Sequence, residues 1–142
     1  MATQKATNYT KAYTPTSDNV LAPGTLGGRV RVHTDDFTFA GEAIGEIIQV
    51  GRAFADGAII LGVTLQNAAL GGSVTVRVGD ANDDDRYMTD IDVSSAATTT
   101  TINIAGSQYT VGTNDDDNLI QILTAGAAAT GQFKITVYYT ED

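Results

Sequence analysis

The stretch Ile59-Ile60-Leu61-Gly62-Val63-Thr64-Leu65-Gln66, followed after Asn67-Ala68-Ala69-Leu70-Gly71-Gly72 by Ser73-Val74-Thr75-Val76-Arg77-Val78, decides the fold. In the first run Ile60, Gly62, Thr64 and Gln66 alternate with Ile59, Leu61, Val63 and Leu65. In the second, Val74, Val76 and Val78 alternate with Ser73, Thr75 and Arg77. A period of two is what a strand with one buried face imposes on a sequence. The small residues and glycines between the runs are what a chain reversal needs, and the second run leads into a carboxylate-crowded loop, Asp80 to Asp85.

Similar short runs recur at intervals of roughly ten residues on both sides, a spacing that belongs to sandwiches and barrels. They predict strands at Arg29 to His33, Phe37 to Ala40, Glu46 to Phe54, Ala58 to Gln66, Ser73 to Val78 and Arg86 to Val93. Further strands are expected at Thr98 to Ala105, Gln108 to Val111, Asn118 to Thr124 and Gln132 to Thr140. Ile44, Ile47, Ile48 and Phe54 stand near helical spacing. Gly41, Gly45 and Gly51 would each cost about 1 kcal/mol in a helix, so a strand with a glycine bend is expected there. The last run alternates Phe133, Ile135, Val137 and Tyr139 with Lys134, Thr136 and Tyr138, a regularity that suits a central strand. The expectation is an all-β chain: an antiparallel β-sandwich, jelly-roll-like, with an extended N-terminal arm.

That arm spans residues 1–28 and the sandwich residues 29–142. The arm is rich in Thr, Ala, Asn and Gly, carries both prolines, Pro15 and Pro23, and shows no sustained periodicity. Its beginning holds no apolar region of the length a signal peptide needs, so synthesis in the cytoplasm is expected. No stretch approaches the roughly 18 apolar residues of a membrane span.

With 142 residues and no Cys, the chain must be held by apolar packing and backbone pairing, without a disulfide framework or thiolate metal site. The net charge of −9 disfavours nucleic acid or an anionic membrane as partner, because neutralising phosphates needs clustered Lys and Arg. The charge is also unevenly spread. Residues 1–34 hold Lys5, Lys11, Arg29 and Arg31 against Asp18 alone, a net of +3, which leaves −12 for the rest. Tyr9 and Tyr13 interleave with Lys5 and Lys11, and aromatic anchors in an extended segment suit docking onto protein. Lys5, Tyr9, Lys11, Tyr13, Arg29 and Arg31 are therefore the candidate partner-binding residues.

Catalytic chemistries lack their parts. His33 is the single histidine, no Ser stands in G-x-S-x-G, and no phosphate-binding Gly-Lys loop exists. Two acidic loops remain, GDANDDDRY (79–87) and GTNDDDNL (112–119). Asp80, Asn82 and Asp84 alternate as hard oxygen ligands, and Asp115 and Asp116 could share the rim, but Asp85 and Ile91 stand where a helix-loop-helix calcium loop needs Gly and Glu. Solvated turn carboxylates are the expectation, with no cofactor and no metal.

The run from Ile47 to Tyr87, IIQVGRAFADGAIILGVTLQNAALGGSVTVRVGDANDDDRY, resembles a pattern of small structural proteins of tailed bacteriophages. In that pattern a Gly-containing turn precedes an apolar strand, and an Asn-Ala-x-Leu-Gly turn leads to a strand closing on Gly-Asp and Asp-Arg-Tyr. The resemblance implies a jelly-roll-like virion protein of the capsid decoration or cement type. The resemblance further implies binding to the major capsid protein on the outer face of the head as a homo-oligomer, with a trimer the expected form, and it offers no catalytic residues to transfer. A carbohydrate- or receptor-binding sandwich of a tail or surface appendage, with calcium in its acidic rim loops, is the alternative; the absence of Trp weighs against it.

Overall fold

In the computed structural model residues 29–51, 53–100, 103, 106–113 and 118–141 are described; the expected arm lies outside them. The described residues form nine strands and no helix. These are β1 (Val30–Glu42), β2 (Ile47–Val50), β3 (Ile59–Asn67), β4 (Thr75–Gly79), β5 (Met88–Asp92), β6 (Ala97–Thr99), β7 (Tyr109–Thr110), β8 (Ile120–Ala125) and β9 (Ala129–Thr140).

All pairings are antiparallel, and they nest. β4 pairs with β5, β3 with β6 and β7, β2 with β8, and β1 with β9. The chain is thus one long hairpin, and rolling it up adds the pairings β3 with β9 and β4 with β8. Two sheets result, in the orders β1-β9-β3-β6 and β2-β8-β4-β5, with β7 continuing β6 along the same edge of β3. That is jelly-roll connectivity.

The inner faces are apolar because the sequence alternates. β8 buries Ile120, Ile122 and Thr124, and β9 buries Phe133, Ile135, Val137 and Tyr139. At one end Phe37, Phe39 and Phe133 form an aromatic cluster with ring centroids 5.1 to 6.1 Å apart; elsewhere Phe54 meets Tyr139 edge-on at 4.8 Å. Each fully buried Val, Leu, Ile or Phe contributes about 2 kcal/mol. As expected, β9 is central, between β1 and β3.

Three expectations are corrected. The two strands at Arg29 to His33 and Phe37 to Ala40 are one 13-residue strand, paired without interruption from Val30↔Thr140 to Ala40↔Thr130. Thr34, Asp35 and Asp36 do not break it because an edge strand leaves them exposed. The strand expected from Glu46 to Phe54 stops at Val50, since Gly51 takes a left-handed φ of 68° and turns the chain away. Of the run Thr98 to Ala105, the described residues 98–100 and 103 contribute only to β6, which begins one residue earlier at Ala97 and shares one edge of β3 with β7. In β3 itself a register shift between Ile60 and Gly62 changes which parity points inward, so Ile60 is buried together with Val63 and Leu65.

Candidate interaction surface

The acidic turn 79–87 is organised by a buried ion pair. The Asp80 side chain is fully buried and accepts from the N–H groups of Asn82 and Asp83, each at 3.0 Å, from Arg86 Nη2 at 3.2 Å and from Arg86 Nε. Arg86 lies 4.1 Å from the Tyr109 ring centroid, a cation over an aromatic face. Its bond to Asp80 raises the guanidinium's affinity for its proton against the opposing effect of burial. The turn closes so tightly that a Cβ on Gly79 would lie 2.1 Å from the Asp83 carbonyl oxygen.

The expected ligand alternation therefore does not face one point. Asp80 is engaged by Arg86, and Asp84 meets Arg77 at 3.2 Å, while Arg77 also bonds Asp90 at 2.7 Å. Carboxylate oxygens of Asp83, Asp84 and Asp85 instead gather within 4.8 Å of one another. Partial burial, then the hydrogen bond with Asp85, pushes the Asp83 carboxyl above its ordinary value, and Arg86 offsets part of this. Asp115 and Asp116 lie outside the described residues.

A different surface stands out by its apolar character. Val30, Val32, Ile44, Ile47 and Tyr138 are the exposed large apolar side chains among the described residues. Val30 and Val32 are on β1, Ile44 is in the β1–β2 turn, Ile47 is on β2, and Tyr138 is the β9 residue paired with Val32. Val30, Val32 and Tyr138 form one patch at the start of β1, while Ile44 and Ile47 follow its far end; among the described residues β1 and β2 are edge strands of their sheets. The sheets are tied together at those edges: the Gly51 N–H donates to Asp35 Oδ2 at 2.8 Å, and the His33 ring packs on Gly51 so closely that no Cβ would fit. Register explains the exposure. Phe37 and Phe39 turn the odd-numbered residues of β1 inward, so Val30 and Val32 face outward beside Tyr138.

The same stretch of chain carries Asp35, Asp36, Glu42 and Glu46. Asp36 accepts from Gln132 Nε2 at 3.1 Å. Of the residues expected to bind a partner, Arg29 is exposed just ahead of β1, whereas Arg31 is 3.7 Å from Glu141 of its own chain. Lys5, Tyr9, Lys11 and Tyr13 lie outside the described residues. The apolar edge was not among the expected sites; the alternation of Val30 and Val32 with Arg29 and Arg31 was its one signal, and it does not say which face is inward.

No family model matches the chain, and no curated protein matches it in sequence. Solved structures do. The chain is similar to a chain of the cyanophage Pam1 capsid asymmetric unit, with 28% identity over 87% of this chain and 93% of that one, at a TM-score of 0.67. A chain of the Ralstonia phage GP4 capsid shares the fold at a TM-score of 0.63 and 18% identity, over 81% of this chain and 86% of that one. So does a chain of the acid-stable capsid of Helicobacter pylori bacteriophage KHP30, at 0.55 and 16%, over 79% and 87%.

Proposed function

We propose that this chain is a virion structural protein of a bacteriophage, of the decoration or cement type, bound to the outer face of a capsid built by the major capsid protein. The observation that carries the reading is the likeness to the Pam1 capsid chain, which runs over nearly the whole of both chains at 28% identity. A jelly roll of this size, similar end to end to a capsid component, has one open edge bearing apolar side chains and no catalytic constellation among its described residues.

The division into an arm, 1–28, and a sandwich, 29–142, is part of the proposal and rests on the aperiodic composition of residues 1–28 and its two prolines. The arm docks on neighbouring subunits through Lys5, Tyr9, Lys11 and Tyr13, with Arg29 and Arg31 at its root. Engaging two neighbours at once makes the second contact effectively intramolecular, so modest individual contacts hold a lattice together. A homo-oligomer, a trimer in the simplest case, is the form in which it attaches, after synthesis in the host cytoplasm.

The test is to strip the protein from purified particles and add it back. Particles lacking it should release their genome at a lower temperature, and re-addition should restore the intact value. Absence of the protein from purified particles, or particles equally stable without it, would remove the proposal.

A further inference from the structure

The open side of the sandwich combines three properties rarely left uncovered together. Among the described residues β1 is a long edge strand paired regularly with β9 over its first eleven residues, a template for a further strand. Beside it lie outward-facing Val30, Val32 and Tyr138. Along it run the carboxylates of Asp35, Asp36 and Glu42. Two such edges laid against each other would bring acid against acid, which disfavours a direct pairing of sandwich with sandwich.

Residues 1–28 have the complementary chemistry. They carry Lys5 and Lys11 against Asp18, and Thr and Tyr suited to an extended backbone. In an extended strand successive residues alternate in both side-chain face and hydrogen-bonding edge. Pro15 and Pro23 are eight apart, so both missing N–H groups fall on one edge, leaving the other edge free to pair. Lys5, Tyr9, Lys11 and Tyr13 are likewise all odd-numbered and share one face. At roughly 3.3 Å per residue the segment reaches about 90 Å, while the 13 residues of β1 span about 43 Å, so it can cover β1 and still cross to a neighbour.

We propose that residues 1–28 of a second copy of this chain lie along the outer edge of β1 as an added antiparallel strand, with Tyr13 over Val30, Val32 and Tyr138 and with Lys11, Tyr9 and Lys5 following along β1 toward Asp36 and Glu42. This rests on the reading of residues 1–28 as a docking arm and names the surface it docks on. The mode is strand addition: backbone bonds supply the attachment and alternate side chains set the register.

The chain has no Cys, so introduced thiols are unique. Particles are assembled from two single-cysteine variants, Thr7→Cys in the arm with Thr34→Cys or Thr38→Cys on β1; Thr98→Cys on β6 is the control. Attachment of a variant lacking residues 1–28 is measured in parallel. The expected result is a reducible dimer between arm and β1 variants, absent with Thr98→Cys, and loss of attachment on truncation. Lost attachment without an arm-to-β1 dimer would overturn the docking surface while leaving the arm's role standing. A chain carrying both cysteines that closes on itself within a monomer, in place of the mixed dimer, would overturn the second copy as donor. Unchanged attachment on truncation would overturn the arm reading and this proposal together.

Discussion

Asp80 and Arg86 form a buried, bidentate ion pair across a single turn: the carboxylate is fully buried, the guanidinium is 13% exposed, and the pair shapes the whole acidic loop. Removing one partner leaves the other's charge uncompensated in a place built for two. Arg86→Met, which strands the buried carboxylate, should cost about 3 to 5 kcal/mol in urea unfolding. Asp80→Asn keeps an acceptor for the Asn82 and Asp83 N–H groups and should cost less, about 1 to 3 kcal/mol. Equal costs, or a loss below about 1 kcal/mol for Arg86→Met, would show that the loop holds itself without the pair.

Gly79 and Gly62 should respond oppositely to the same methyl group. A Cβ at Gly79 would sit 2.1 Å from the Asp83 carbonyl oxygen and 2.4 Å from the Asp84 carbonyl carbon, backbone atoms that cannot move without opening the turn. At Gly62 a Cβ meets nothing within 4 Å. Gly62→Ala should leave the melting temperature near wild type or raise it slightly, whereas Gly79→Ala should lower it markedly. Tolerance of Gly79→Ala would mean that the turn is looser than its geometry.

Asp90 and Asp83 should shape the acid limb of stability with opposite signs. The Arg77 hydrogen bond holds Asp90 below its ordinary value, so the unfolded chain binds more protons just below that value. Stability from Asp90 is therefore present at neutral pH and lost as pH falls through the lowered value. Asp83, raised chiefly by burial, binds its proton more readily folded than unfolded, so stability falls as pH rises from the ordinary to the raised value. In unfolding measured across pH 2 to about 7, Asp90→Asn should flatten the acid loss and Asp83→Asn should raise stability at the neutral end. The same slope in both variants would contradict this assignment.

Calcium is expected to leave stability unchanged. Asp80 and Asp84 already have arginine partners, and Asp83, Asp84 and Asp85 form an acidic turn of adjacent residues. A melting temperature that rises with calcium, falls with chelator and ceases to respond in Asp83→Asn/Asp85→Asn would promote a rim metal site, and with it the carbohydrate or receptor reading.

Much of the sandwich is legible in the sequence because its inner strands obey period two: β4, β8 and β9 can be read from alternating Val, Ile and Phe. Edges are harder. β1 carries Thr34, Asp35 and Asp36 in mid-strand, which resembles a turn, and only its place at the sheet edge makes them compatible with pairing. Alternation alone would place Val30 and Val32 inward, but Phe37 and Phe39 set the opposite register. The Asp80–Arg86 pair was hidden for another reason. Four acids in one loop read as solvent-facing, and no sequence spacing marks which of them the chain folds around.

Electrostatics and anchoring in the arm should separate in kinetics. The arm and sandwich carry opposite net charge, yet exposed pairs contribute only about 0 to 1 kcal/mol each and are screened over about 10 Å at 0.1 M salt. Lys5 and Lys11 should accordingly govern how fast the protein reaches its lattice more than how long it stays. Lys5→Glu/Lys11→Glu should slow association onto stripped particles at low salt, with the difference from wild type shrinking as salt rises. Tyr9 and Tyr13 bury their rings only after contact, so Tyr9→Ala/Tyr13→Ala should speed dissociation at every salt concentration. A tyrosine double variant that dissociates at the wild-type rate would place the anchors in the sandwich and reduce the arm to a tether.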